Sequence, residues 1–257
     1  MRIAVLGGSG VLGRHVVDVA QERGHEPVAL SRSTGVDLLT GRGLEGALDG
    51  CASAIDASNL FSIRRRPSLE FFDATATRLQ AEALRASVPH VVVVSIVGID
   101  RARGYAYYDA KLTQERRHLD GPVPATVVRA TQFHEFPGQI ASRTTFGPLT
   151  LIPAMRVQTV SARSVAEVLV DAALGPAQRG RAPDVGGPGP ATTLPELAAA
   201  LLSRTSPRAK VVPLPLPGQL RRASKEGALL PEPDATLVGP TFEAWLEGAA
   251  PGARPTR

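Results

Sequence analysis

The stretch Ile3-Ala4-Val5-Leu6 runs into Gly7-Gly8-Ser9-Gly10, and apolar residues at helical spacing follow at Val11, Leu12, Val16, Val17, Val19 and Ala20. A short apolar run of this kind reads as a buried strand of a parallel sheet. Strand, glycine turn and helix in that order place a helix N-terminus against a strand tip. The unpaired N–H groups and partial positive charge there attract phosphate. Glycine lets the backbone turn sharply and approach a pyrophosphate without a Cβ in the way. Two spacings fit: Gly8, Gly10 and Gly13 make G-x-G-x-x-G, whereas Gly7, Gly10 and Gly13 make G-x-x-G-x-x-G. Gly7, Gly8, Ser9, Gly10, Val11, Leu12 and Gly13 are the first candidate contacts of a dinucleotide.

The pattern continues as alternating strands and helices. Helix 11–23 ends at Gly24, Pro27–Leu30 is a second strand, and 35–39 reads as a third. A short helix is expected at 44–48 and a strand at 52–56. A long helix is expected from an N-cap at Ser68, with Glu70 in its first turn. Val91–Val94 is β-branched throughout and reads as a central strand buried on both faces. This alternation defines an α/β fold, a Rossmann-type doubly wound parallel sheet. Ligands of such sheets lie at the carboxyl ends of the strands.

After the second strand comes Ser31-Arg32-Ser33, with no acid to hold the two ribose hydroxyls of NAD. Arg32, flanked by hydroxyls, suits a 2′-phosphate, so NADP(H) is expected over NAD(H). Asp37, and Ala57 and Ser58 at the end of the next strand, complete the expected cofactor contacts.

Ser95 follows the Val91–Val94 run, and Tyr107 and Lys111 stand four apart on a stretch of helical composition. Residues i and i+4 share a helix face. A phenol is a poor acid–base group near neutral pH unless a cation stabilises its phenolate, and Lys111 is the expected cation. Ser95 would orient a carbonyl oxygen. Beyond the strand at 125–129, Gln132, Phe133, His134 and Phe136 are the expected substrate contacts, with Phe146 as a further cover. His134 reads equally as a structural hydrogen-bonding residue. His134-Glu135 lacks a second histidine at position 138, which is glycine, so no metal site is expected.

With these residues in place, the chain resembles the short-chain dehydrogenase/reductases, in their atypical extended branch, close to the NmrA-like NAD(P)H-binding proteins. The likeness covers about the first 175 residues well and the rest by layout. It implies that Gly7, Gly10 and Gly13 bind pyrophosphate and that Arg32 recognises NADP. It also implies that Ser95, Tyr107 and Lys111 form the catalytic set, with Tyr107 donating the proton and Lys111 orienting the nicotinamide ribose. The expected activity is reduction of a carbonyl or quinone-like small molecule by hydride transfer. The alternatives are a non-catalytic NADP(H)-sensing regulator and a cofactor-retaining epimerase or dehydratase.

In the remaining chain, short strands are expected at 150–152 and 157–160, a helix at 161–174, and a helix capped at Thr192 or Thr193. An edge strand at 210–216 and a last helical stretch around Trp245 follow. The Rossmann core is placed at 1–132 and a smaller substrate lobe at 133–247, with residues 157–186 returning to the core; 248–257 reads as a flexible tail. One cysteine, Cys51, excludes an internal disulfide and points to a reducing cytoplasm. No apolar run approaches the ~18 residues of a membrane span, and the first residues read as a core strand rather than a signal peptide. The net charge of +5 comes from scattered arginines without interleaved aromatics, so a small molecule rather than nucleic acid is the expected partner. Monomer and homodimer both remain open.

Overall fold

The computed structural model describes residues 1–62 and 64–248. Strand β1 (Arg2–Leu6) leads through the glycine turn into helix α1 (Val11–Glu22), then β2 (Glu26–Leu30). Strand β3 (Ser53–Asp56), helix α2 (Arg65–Arg85), strand β4 (Val91–Ile96), helix α3 (Ala106–Leu119) and strand β5 (Ala125–Ala130) continue the alternation. Helix α4 (Phe136–Thr144), β6 (Thr145–Phe146), β7 (Leu149–Pro153) and β8 (Arg156–Val157) leave the core, and α5 (Ala162–Leu174) returns to it. Then follow β9 (Gly180–Arg181), β10 (Val185–Gly186), β11 (Thr192–Thr193), α6 (Leu194–Thr205), β12 (Lys210–Leu214), α7 (Gly218–Lys225), β13 (Thr236–Leu237) and α8 (Phe242–Gly248).

The main sheet runs β13-β10-β5-β4-β3-β1-β2, with β9 also on β5, and every pair in it is parallel. Side chains alternate across it. Ile3, Val5, Ile55, Val92, Val94 and Val128 pack under Val16 and Val19 of α1 and Val165 and Leu169 of α5. Ala4, Leu6, Ala54 and Val91 face the other way, onto Leu79 and Ala83 of α2 and onto Val36, Leu38, Leu44 and Leu48. Each buried Val, Leu or Ile contributes about 1.5–3 kcal/mol. The chain thus starts in the middle, goes out to β2, and crosses back to β3. The reversal opens a crevice at the carboxyl ends of β1 and β3.

Several local expectations are corrected. Residues 35–39 form no strand; one bridge between Asp37 and Arg42 is all the pairing they make. Gly35, Gly41 and Gly43 have positive φ, and Asp37 accepts the backbone N–H of Leu39 and Thr40 at 2.9 and 3.2 Å, which curls the segment into turns. Residues 44–48 are also turns rather than a helix, broken by positive φ at Gly46, although Leu44 and Leu48 are buried as a helix would bury them. Helix α2 begins at Arg65, with Pro67 in its first turn, where its missing N–H costs nothing. Ser68 is therefore inside the helix, and its buried hydroxyl anchors the preceding loop by donating to the Ser62 carbonyl at 3.0 Å. Residues 158–160 leave the short strand β8, and only Val160 bridges back, to Phe133.

The smaller lobe has its own core around Ile152, Leu194, Leu197, Leu216, Leu229 and Phe242. Thr193 and Glu196 form the capping box of α6. Strand β12 pairs only with β7, so its Pro213 lies on an edge. Of the expected tail at 248–257, Gly248 ends α8, and 249–257 lie outside the described residues. No helix among those described is long and apolar enough to cross a membrane.

Candidate functional site

The glycine turn resolves the ambiguity between the two spacings. Gly7 has φ +73°, and its N–H donates to the Leu30 carbonyl at 2.8 Å, pinning the β1 tip to the β2 tip. A Cβ on Gly13 would stand 2.1 Å from the Gly7 carbonyl oxygen, so helix and strand meet at backbone contact there. Gly8 instead packs on Ala29 of β2. Gly7, Gly10 and Gly13 are thus the working set. Gly10 caps α1 without any side-chain hydrogen bond, no acid occupies the first turn, and Ser9 and Gly10 are exposed. The N-terminal N–H groups of α1 therefore face the crevice with their partial charge uncompensated.

Arg32 follows β2 in a single 3-10 turn, exposed and paired with no carboxylate among the described residues. Ser31 and Ser33 hydrogen-bond each other through their hydroxyls at 2.8 Å. Asp37 lies in the curled segment with one carboxylate oxygen already committed to two backbone N–H groups. Ala57 and Ser58 follow β3, and Ala57 and Ser58 backbone atoms wall the turn at Gly7.

Five of the nine buried side-chain polar atoms without partners among the described residues lie along the same edge. The hydroxyls of Ser58, Ser95 and Thr131 and both amide atoms of Gln132 are buried and make no hydrogen bond. These residues sit at or just beyond the carboxyl ends of three adjacent strands, β3, β4 and β5. Buried polar groups are nearly always paired in proteins, so a row of orphans beside an open helix terminus is the signature of a polar ligand's berth. The residues present therefore fit a dinucleotide.

Tyr107 and Lys111 share a face of α3 but part company at their tips. The Tyr107 hydroxyl donates to Asn59 Oδ1 at 2.9 Å. The Lys111 ammonium is buried and donates to the Val94 carbonyl at 2.8 Å and to Gln114 Oε1 at 2.5 Å, with the Phe72 ring 5.1 Å away. No hydrogen bond joins the two among the described residues. The expected lowering of the phenol's pKa by Lys111 is corrected: burial pushes Tyr107 above the usual tyrosine range, with the Asn59 hydrogen bond opposing. Burial also pulls Lys111 down to about 8, against the charges of Asp56 and Glu115.

His134 has no exposed surface. Its Nδ1 is 2.8 Å from Thr159 Oγ1, its Nε2 donates to the Pro240 carbonyl at 3.1 Å, and Phe242 and Trp245 flank the ring. Both nitrogens are engaged, so the ring ties α8 to the core and has none left for a substrate. Phe133 packs on the main core and Phe136 on the lobe core. Phe146 is 67% exposed on β6 and covers no pocket, contrary to expectation. Cys51 is a buried free thiol.

Sequence reasoning missed a buried polar group around Asp56. Its Oδ2 accepts from Gln114 Nε2 at 2.8 Å and from His118 Nε2 at 3.0 Å, and its Oδ1 accepts the Ser58 N–H at 3.0 Å. Burial favours the neutral acid, but the hydrogen bond and charge of His118 outweigh it and hold Asp56 below the usual carboxylate range. Nearby, Arg129 of β5 grips Glu115 with two hydrogen bonds of 2.8 Å and reaches Asp100 at 2.9 Å. The signal was available: Lys111, Gln114, Glu115 and His118 are polar at the i, i+3, i+4, i+7 spacing that otherwise marks a core face.

No protein-family model matches the chain, and no curated protein sequence is significantly similar to it. Solved structures are similar in fold. An NAD-dependent NDP-hexosamine 5,6-dehydratase, TunA, is 15% identical, with 96% of this chain and 97% of that one covered at a TM-score of 0.72. A dTDP-4-dehydrorhamnose reductase from Clostridium acetobutylicum is 13% identical over 96% and 98%, at 0.70. A short-chain dehydrogenase/reductase superfamily protein from Agrobacterium tumefaciens with bound NAD is 16% identical over 96% and 95%, at 0.67. The chain therefore has the Rossmann-type fold of the short-chain dehydrogenase/reductases along nearly its whole length. Two of these three structures are described with NAD, so the likeness gives the expected preference for NADP no support.

Proposed function

We propose that the protein is an NADP(H)-dependent reductase of a carbonyl or quinone-like small molecule. The observation that carries this reading is the row of unpartnered buried polar groups, Ser58, Ser95, Thr131 and Gln132, beside the uncapped N-terminus of α1. When bound, the dinucleotide supplies the hydride. The turn at Gly7, Ser9 and Gly10 holds the pyrophosphate, Arg32 and its flanking serines take the 2′-phosphate, and Lys111 holds the nicotinamide ribose. Ser95 orients the substrate oxygen. Tyr107 donates the proton that reduction requires. The buried single thiol accords with a reducing cytoplasm.

The test is NADPH oxidation across aldehydes, ketones and quinones, with Tyr107→Phe as the comparison. Loss of a positioned proton donor lowers kcat about 10²–10⁴-fold, with nucleotide affinity kept. Turnover untouched by that substitution refutes the mechanism and leaves the cofactor site standing. A second reading, a nucleotide sensor, is favoured by the inward turn of Lys111 and the raised phenol; it expects binding without turnover on any substrate. A cofactor-retaining epimerase or dehydratase, in keeping with the fold of TunA, expects bound nucleotide to survive purification with no net NADPH consumed.

A further inference from the structure

Lys111 is one of only three lysines in the chain and the only buried one. Two of its three N–H donors are held, by the Val94 carbonyl and Gln114, which leaves the third without a protein acceptor among the described residues. Gln114 is a bridge of fixed polarity. Its oxygen faces the ammonium and its nitrogen faces Asp56. His118 donates to the same carboxylate through Nε2 and faces Gln80 Nε2 through Nδ1 at 3.4 Å.

Every charged or titratable group facing the ammonium can be placed. On α3 stand Tyr107, Glu115 and, across Asp56, His118. Glu115 is neutralised by the two-pronged grip of Arg129 from β5, whose other partner is Asp100. From α2 comes only the Phe72 ring. From β3 comes Asp56, held by Gln114, His118 and the Ser58 N–H and paired with no lysine or arginine among the described residues. Asp56 also holds the Ser58 N–H, and so sets the wall of the glycine turn.

We propose that Asp56 is the positioning residue of the dinucleotide site: through Gln114 it fixes Lys111 and keeps it an ammonium, and through Ser58 it aligns the crevice beside it. This rests on the dinucleotide-binding reading above. Replacing the carboxylate by an amide removes the charge and one acceptor: with its oxygen kept toward Gln114 and His118, the new N–H2 faces the Ser58 N–H. Lys111 then loses its proton at lower pH. Burial already places it near 8, so a further drop of one unit matters at ordinary pH.

Lysine-selective ¹³C labelling with NMR titration reads this directly, because the chain has only two other lysines, Lys210 and Lys225, and both are exposed. Asp56→Asn is expected to lower the Lys111 midpoint by at least one unit. NADPH affinity is then expected to fall about fivefold at pH 8, where about half of the wild-type amines but only about a tenth of the variant's carry the charge. The gap should close to within about twofold at pH 6, where both proteins carry the ammonium. Gln114→Met, which breaks the bridge and leaves Asp56 in place, is expected to shift the midpoint in the same direction and serves if Asp56→Asn does not fold. An unmoved midpoint in a folded variant overturns the proposal, as does an affinity gap of constant size across pH, the mark of a purely structural role. Failure of the wild-type protein to bind NADPH or NADH overturns the functional reading instead, and the NMR shift still decides whether Asp56 governs Lys111.

Discussion

The contact between Gly13 and Gly7 yields a test in which two neighbouring glycines behave oppositely. In Gly13→Ala the new Cβ would meet the Gly7 carbonyl oxygen at 2.1 Å. Ordinary carbon contacts lie near 3.5 Å, so helix and strand must separate by about 1 Å or more. Neither yields easily: the Gly7 oxygen accepts the Gly10 N–H at 2.8 Å, and Leu12, Val16 and Val19 seat α1 in the core. Overpacking at such a site costs about 3 kcal/mol, at the upper end of its usual range. Alanine returns about 1 kcal/mol of helix propensity. The net loss is about 2 kcal/mol, or about 4–8 °C in Tm for a chain of this size. In Gly10→Ala the Cβ meets only the Gly7 oxygen, at 3.1 Å, and φ −75° with ψ 175° suits alanine. Its stability cost stays below about 1 kcal/mol, whereas its methyl group blocks the mouth of α1 and nucleotide affinity falls at least tenfold. Urea unfolding and NADPH titration on both variants decide the matter. Equal unfolding midpoints would refute the packing argument, and normal binding by Gly10→Ala would refute the placement of phosphate at α1.

Other outcomes follow from the same geometry. Arg32→Ala should weaken NADPH by about 1.5–3 kcal/mol, the range for a hydrogen bond to a charged group, and leave NADH unchanged in calorimetry; equal effects on both would return the preference to NAD. Glu115→Ala leaves the buried Arg129 with only the partly exposed Asp100, and urea unfolding should show a loss of about 3 kcal/mol. Lys111 titrates near 8 when folded against 10.5 in its ordinary state, so between those values the unfolded chain binds more protons and stability rises with pH. The unfolding free energy of the wild type relative to Lys111→Met should therefore climb by about 1.6 kcal/mol from pH 8 to 9.5; a flat difference would mean that water reaches the amine.

What the sequence disclosed and what it concealed divide along physical lines. Strands β1 and β4 were legible because strands buried on both faces are apolar along most of their length, as in Ile3–Leu6 and Val91–Val94; β3 and β5 were read from shorter apolar runs, and their buried Asp56 and Arg129 are what the sequence left unexplained. The glycine turn was legible because backbone contact at Gly13 tolerates no side chain. Residues 35–48 misled because Val36, Leu38, Leu44 and Leu48 are buried by turns, and burial alone does not separate a turn from a strand or helix. Helix α7 went unread because only Leu220, Ala223 and Ser224 of it are buried. The pairing of Tyr107 with Lys111 was right in spacing and incomplete in direction. A four-residue interval fixes the face, but the long lysine stem bends to whichever acceptors lie deepest, here Val94 and Gln114. His134 followed the opposite course, since only the distant Thr159 and Pro240 reveal that its ring has no free nitrogen.

The return of α5 to cover the face of β1, β3, β4 and β5 bears on how the polypeptide is made. Until residues 162–174 leave the ribosome, Ile55, Val92, Val94 and Val128 have α1 alone above them, and β10 and β13 cannot join the sheet until later still. A nascent chain stalled near residue 150 should thus be sticky and protease-sensitive, and the sheet should close only once β13 has emerged.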